Sequence, residues 1–68
     1  MAMDRLLRYV ERVPGSRIRI QYWRYLHAWQ VDIYSGGSET GRLGDDVEQA
    51  AGRVADELHR LGYGELLA

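Results

Sequence analysis

The alternation of apolar and polar residues over Arg17–Trp23, and again over residues 28 to 34, constrains the fold most strongly. In the first segment isoleucine and tyrosine take every second position, with arginine, glutamine and tryptophan between them. A period of two is that of a half-buried strand, and both segments are rich in the β-branched and aromatic residues that strands favour. The sequence therefore predicts a β-hairpin.

One register of this hairpin gives every apolar residue an apolar partner. Directly opposed residues in an antiparallel pair point to the same side of the sheet. If Arg24 lies opposite His27, the inner face consists of three apolar pairs: Ile18–Ile33, Ile20–Val31 and Tyr22–Trp29. The register predicts that Trp29 lies in the core and that Trp23 lies outside it.

The same register gives the outer face two favourable pairs. Arg19 lies opposite Asp32, which is an opposite-charge pair, and Arg17 lies opposite Tyr34, in position for a cation–π contact. The connection has Tyr25-Leu26, where a two-residue turn prefers glycine or asparagine. A four-residue loop is compatible with the same pairing.

One amphipathic helix is predicted before the hairpin in the chain, and a second one after it. Residues 2 to 13 have apolar side chains at helical spacing, and Pro14-Gly15 ends this helix. The second helix begins at Asp45, with Glu48 in a capping-box-like position, and stops at Gly62. Its apolar stripe contains Val47, Ala50, Ala51, Val54, Leu58 and Leu61.

The segment between the hairpin and the second helix predicts a weak third strand. Gly36-Gly37 indicates a tight turn, and residues 38 to 43 are long enough for a short polar strand at the sheet edge. The predicted fold is therefore α+β, with one domain over residues 1–68 and the order α-β-β-(β)-α. It has an antiparallel two- or three-stranded sheet with both helices packed on one face.

The stretch WQVDIYSGGSETGRLGDDVEQAAGRVADEL resembles the second half of the double-stranded RNA-binding domain. In that family an alternating strand, a glycine-rich turn and a helix with an Ala-Ala pair follow one another, and the element order agrees over nearly the whole chain. The resemblance implies the α+β architecture. The family binds RNA through lysines at the start of its second helix, where this chain has Asp45, Asp46 and Gln49. Its first inter-strand loop is also longer. We therefore expect the architecture without the RNA-binding residues.

Composition limits the class of protein. The 68 residues include no cysteine, which excludes disulfides and thiolate metal sites. No apolar run approaches the roughly 20 residues of a membrane span, and the N-terminus lacks a signal-peptide profile, so a cytoplasmic location is expected. All nine basic residues are arginine, and lysine, asparagine and phenylalanine are absent. This usage predicts a gene from a GC-rich bacterium or its phage.

No catalytic pattern emerges from the sequence. His27 and His59 fall on different elements, and Ser16, Ser35 and Ser38 occupy predicted turns, where serine is common without a catalytic role. A hydrolase would need a base held beside one of these hydroxyls in a dry pocket. We expect no enzymatic activity, no metal and no cofactor.

The outer face of the hairpin is the candidate binding surface. It consists of Arg17, Arg19, Gln21, Trp23, Gln30 and Tyr34. Tryptophan, tyrosine and arginine are enriched at binding hot spots. The first interpretation is a small protein-binding module, a phage or mobile-element product that acts by occupying a partner. The alternative is a nucleic-acid binder that uses the same residues. Asp32 within the patch and the net charge of −1 rank a protein partner first.

A homodimer is the expected oligomeric state. The polar third strand leaves a poorly protected sheet edge, and Leu66 and Leu67 at the C-terminus have no evident place in the core. Charge is also segregated along the chain. Residues 1 to 27 carry +4 and residues 28 to 68 carry −5, which a two-fold arrangement could bring together.

Overall fold

A three-stranded antiparallel sheet of order β1-β2-β3 forms one layer of the fold, with β2 in the centre. The computed structural model describes all 68 residues. The elements are α1 (Ala2–Arg12), β1 (Arg17–Trp23), β2 (Ala28–Ser35), β3 (Ser38–Gly44) and α2 (Val47–Leu58), followed by short helical turns over His59–Tyr63 and Gly64–Leu67. The predicted α+β order is confirmed, and the sheet has three strands. Neither α1 nor α2 has the length and apolar character needed to cross a bilayer.

The predicted hairpin register is confirmed at every position from Arg17–Tyr34 to Trp23–Ala28. The connection is the four-residue loop rather than the two-residue turn. The N–H of Leu26 donates to the carbonyl of Trp23 at 3.2 Å, and His27 closes the loop with a φ of 48°. This left-handed conformation supplies the reversal that Tyr25-Leu26 does not favour.

The core lies between the sheet and the two helices. It consists of ten buried residues: Leu6, Tyr9, Val31, Ile33, Ala50, Ala51, Val54, Ala55, Leu58 and Leu67. The small side chains of α2 allow that helix to lie close to β3, where a Cβ on Gly44 would clash with the backbone of Ala50. The helices therefore cover β2 and β3 more completely than β1.

The expectation that Trp29 belongs to the core is wrong. Trp29 is half-buried, and its neighbours on the inner face, Ile20 and Tyr22, are 44% and 46% exposed. The helices leave this end of β1 uncovered, and Ile18 is the residue of β1 that packs against the core. Trp29 instead contacts the ring of Tyr22, at a centroid distance of 5.1 Å.

The expectation that the terminal leucines lack a place in the core is also wrong. Leu67 is 1% exposed, and Leu66 packs against the core cluster. Gly62, with a φ of 100°, turns the chain back after α2 and leaves Leu61 exposed. The Arg12 guanidinium then holds the tail against α1 by donating to the carbonyls of Glu65 and Ala68, at 3.1 and 2.6 Å.

The N-terminus of α1 lies against α2. The Glu48 carboxylate accepts hydrogen bonds from the backbone N–H groups of Ala2 and Met3, so an acid from α2 satisfies donors that α1 leaves open. Gly52 lies at the same junction. A Cβ built on Gly52 would be 3.7 Å from the Cβ of Ala2, which is ordinary van der Waals contact.

Gly52→Ala is therefore expected to stabilise the protein by about 1 kcal/mol. Alanine has the higher helix propensity and reduces the entropy of the unfolded chain, and there is room for its methyl group. Urea denaturation should show a higher midpoint with an unchanged slope. A lower midpoint would mean that α1 and α2 lie too close together for the added methyl group, which contradicts the 3.7 Å between its position and the Cβ of Ala2.

Candidate functional site: the outer face of the sheet

The outer face of the sheet carries no helix, and all six predicted site residues lie on it. Arg17, Arg19 and Trp23 are exposed, with Trp23 at 39%. Gln21, Gln30 and Tyr34 are half-buried between them. Because β1 and β2 pair in the predicted register, the odd-numbered residues of β1 and the even-numbered residues of β2 lie on the same face of the sheet. The two strands therefore bring the six side chains together on one surface.

Asp32 lies in the middle of this face and is nevertheless fully buried. The reason is its neighbour on β3, Gly41, which has no side chain. The Asp32 carboxylate occupies the space that a Cβ on Gly41 would fill, and such an atom would clash with Oδ1. A glycine directly beside the aspartate thus creates the cavity into which the carboxylate fits.

The buried carboxylate is held by two side chains of the predicted site. Its Oδ1 accepts a hydrogen bond from Nε2 of Gln30 at 2.8 Å, and its Oδ2 lies 3.8 Å from Nε of Arg19. Oδ2 has no hydrogen-bond partner. Removing a carboxylate from water is costly unless it is paired, so Asp32 fixes the positions of both neighbours.

The contacts continue from Asp32 to both ends of the face. On one side, the indole N–H of Trp23 donates to Oε1 of Gln30 at 2.5 Å. On the other side, the guanidinium groups of Arg17 and Arg19 lie over the ring of Tyr34, at 5.1 and 5.9 Å from its centroid. The predicted cation–π contact of Arg17 is confirmed. A continuous chain of contacts therefore orders five of the six site residues.

Gln21 is the site residue outside this chain of contacts. It lies opposite Gln30 on the outer face of the sheet, and its side chain makes no hydrogen bond. Its amide group is free for an external partner.

Beside Trp23 the outer face continues into an open groove of about 580 Å³. The groove is lined by Trp23, Leu26, Gln30, Gly41, Arg42, Leu43 and Arg53. Leu26 and Leu43, which are 58% and 39% exposed, form apolar walls, and Arg53 reaches the groove from α2. Leu26, Leu43 and Arg53 were not predicted as site residues. The one sequence signal for them was the apolar Tyr25-Leu26 in a loop where polar turn residues are usual.

Two arginines protect the outer edge of β3. Nη1 of Arg42 donates to the carbonyl of Gly41, and Nη1 of Arg53 donates to the carbonyl of Leu43, both at 2.7 Å. These carbonyls are those that a further strand would use. The expectation that the third strand leaves a poorly protected edge is therefore wrong, because arginine side chains occupy it.

Glu57 of α2 holds one of these arginines in place. Its carboxylate lies 3.2 Å from Nη2 of Arg42 and accepts hydrogen bonds from Arg60 at 2.6 Å. The hydrogen bonds from Arg60, together with the charges of Arg60 and Arg42, lower the pKa of Glu57. Any stabilisation from this group is present at neutral pH and is lost as the pH falls through the lowered pKa.

No group of three or more histidine, aspartate or glutamate side chains is arranged to hold a metal ion. Comparisons of the chain with protein-family models, with curated proteins and with solved structures give no match.

Proposed function

We propose that this chain is a non-enzymatic protein-binding module whose docking surface is the outer face of the sheet, continued by the groove beside Trp23. The observation that carries the proposal is the chain of contacts around Asp32, which orders Trp23, Tyr34 and two arginines on an uncovered face. These are the residue types that dominate binding energy at protein interfaces. Side chains that are already ordered lose less conformational entropy when a partner docks.

The arginines of the surface and the apolar side chains of the groove indicate the chemistry of the partner. Arg17 and Arg53 form no salt bridge within the chain, so each is available to an external acid. Leu26 and Leu43 offer an apolar recess between them. The partner we infer is a protein that inserts an apolar side chain into the groove and presents a carboxylate to one of these arginines. The module acts by occupying that surface of its partner.

Nucleic acid ranks second as a partner. A base would have to stack on Tyr34, whose ring already lies under two guanidinium groups, and Asp32 offsets the charge of Arg19. The double-stranded RNA-binding domain, which the chain resembles, binds RNA through lysines at the start of its second helix, and this chain has Asp45, Asp46 and Gln49 there.

Trp23→Ala is expected to weaken binding of the partner by about 30-fold, the loss of a hot-spot residue worth about 2 kcal/mol. The partner would be captured on the immobilised wild-type chain from the source organism or its host, identified and purified. Titration calorimetry then compares wild type, Trp23→Ala and Arg17→Ala. Arg8→Ala is the matched control for Arg17→Ala, because Arg8 is an exposed arginine of α1 outside the surface.

The proposal requires that Arg8→Ala bind like wild type while both surface variants lose affinity. Unchanged binding by Trp23→Ala would place the docking surface elsewhere. A sub-micromolar complex with a mixed-sequence duplex at about 0.15 M salt would instead rank nucleic acid first, since contacts to phosphates weaken steeply with salt.

A further inference from the structure

The β1 strand has an open edge. It lies at the side of the sheet opposite the arginine-protected β3. Backbone hydrogen bonds from Arg17–Trp23 go to β2 and, at Trp23, to the hairpin loop. Because alternate residues of an edge strand point their backbone groups away from the neighbouring strand, the remaining N–H and C=O groups of β1 face solvent.

Charged side chains do not protect this edge. Arginine on an edge strand usually discourages pairing with another chain. Here the Arg17 guanidinium lies over Tyr34, and that of Arg19 lies beside Asp32, so both are drawn over β2 and away from the edge.

An exposed apolar strip accompanies the open edge on the inner face. It consists of Ile20 and Tyr22 of β1, which are 44% and 46% exposed. The helix layer lies on that same face of the sheet. Apolar side chains beside unpaired backbone groups are the features that strand addition buries.

We propose that β1 pairs antiparallel with β1 of a second copy of this chain, which joins two sheets into one of six strands. The register that fits centres on Ile20, which then lies opposite Ile20 of the second copy. Ile18 lies opposite Tyr22, Arg19 opposite Gln21, and Arg17 opposite Trp23. All seven residues of β1 are then paired, with apolar side chains opposite apolar ones on the inner face and no like charges opposite each other on the outer face.

The neighbouring registers are worse. Centring on Arg19 places two arginines directly opposite each other, and centring on Gln21 extends Arg17 and Ile18 past the end of the partner strand. A shift by a single residue is excluded because it would place the inner face of one copy on the same side as the outer face of the other. The strand is therefore self-complementary about Ile20, as a two-fold interface requires. The sequence suggested the third-strand edge and the C-terminal tail as dimer contacts, but both are occupied by other parts of the same chain. The β1 edge takes their place in this proposal.

Sedimentation at micromolar concentration should report about twice the chain mass of 7.8 kDa. A register-specific test uses the absence of cysteine from the chain. Ile20→Cys places one thiol directly opposite its own copy, with Cα atoms about 4.5 to 5.5 Å apart, within the range of a disulfide. Oxidation with diamide should cross-link it about tenfold faster than Leu26→Cys, whose thiol lies on an exposed loop outside the interface.

A second pair of variants tests the same register by charge. Gln21→Glu places a carboxylate opposite Arg19 of the second copy and should tighten the dimer, whereas Gln21→Arg places like charges there and should weaken it. A chain that stays monomeric at hundreds of micromolar, or equal cross-linking of Ile20→Cys and Leu26→Cys, would overturn the proposal. These readouts need no external partner, so they do not depend on the proposed function.

Discussion

Gly41→Ala is expected to cost about 3 to 5 kcal/mol of folding free energy, which is most of the stability that so small a domain can have. The new methyl group would occupy the position of Oδ1 of Asp32. The carboxylate would be forced out of its buried position beside Gly41 and would lose its hydrogen bond from Gln30. Urea denaturation followed by tryptophan fluorescence measures the loss.

The same substitution in an Asp32→Ser background isolates the cause. Serine is too short to fill the space beside Gly41, so the added methyl group should then cost little, and the two changes should be strongly coupled. An equal cost of Gly41→Ala in both backgrounds would show that the carboxylate does not occupy that space.

Leu67→Ala is expected to destabilise the protein by about 2 to 5 kcal/mol. The side chain is 1% exposed within the core cluster, and its truncation combines lost burial with a cavity. The matched control is Leu61→Ala, which makes the same chemical change at a residue that is 48% exposed. That change should stay within about 0.5 kcal/mol.

Thermal unfolding of both variants, with the midpoints compared at one pH, provides the measurement. Equal destabilisation by Leu67→Ala and Leu61→Ala would contradict the docking of the C-terminal tail. A small loss in Leu67→Ala together with a large one in Leu61→Ala would mean that α2 continues past Gly62 and buries the residue that its apolar stripe predicted.

The hairpin could be predicted from the sequence because its information is local. Two alternating segments of similar length allow one register that pairs Ile18 with Ile33 on one face and Arg19 with Asp32 on the other. Side-chain period and cross-strand pairing are properties of neighbouring residues, so no knowledge of the rest of the fold was needed. The six residues of the candidate surface followed from that register.

The burial of individual side chains could not be predicted, because it depends on contacts between segments that are distant in the sequence. The burial of Asp32 requires Gly41 on β3, and the exposure of Ile20 and Tyr22 depends on which strands the helices cover. The place of Leu67 depends on the turn at Gly62. An apolar residue at a strand or tail position indicates that burial is favourable, and packing between elements decides whether it happens.

The residues of the groove beside Trp23 could not be predicted for the same reason, since they come from different elements. Leu43 and Arg53 belong to β3 and α2, and they meet Trp23 of β1 because β3 is the strand that α2 packs against. Neither the periodicity nor the charge pattern of the sequence predicts which residues of different elements come together in this way. The apolar loop at Tyr25-Leu26 was the exception, because it departs from the polar composition expected of a turn.

The most direct test of the account uses the two tryptophans, which lie on opposite faces of the sheet. In the Trp29→Phe variant the remaining tryptophan is Trp23 on the outer face, and in the Trp23→Phe variant it is Trp29 on the inner face. Each variant is titrated with the captured protein while emission wavelength and acrylamide quenching are recorded. Docking on the outer face predicts that Trp23 emission shifts to shorter wavelength and its quenching falls, with Trp29 unchanged. Shielding of Trp29 with no change at Trp23 would contradict it.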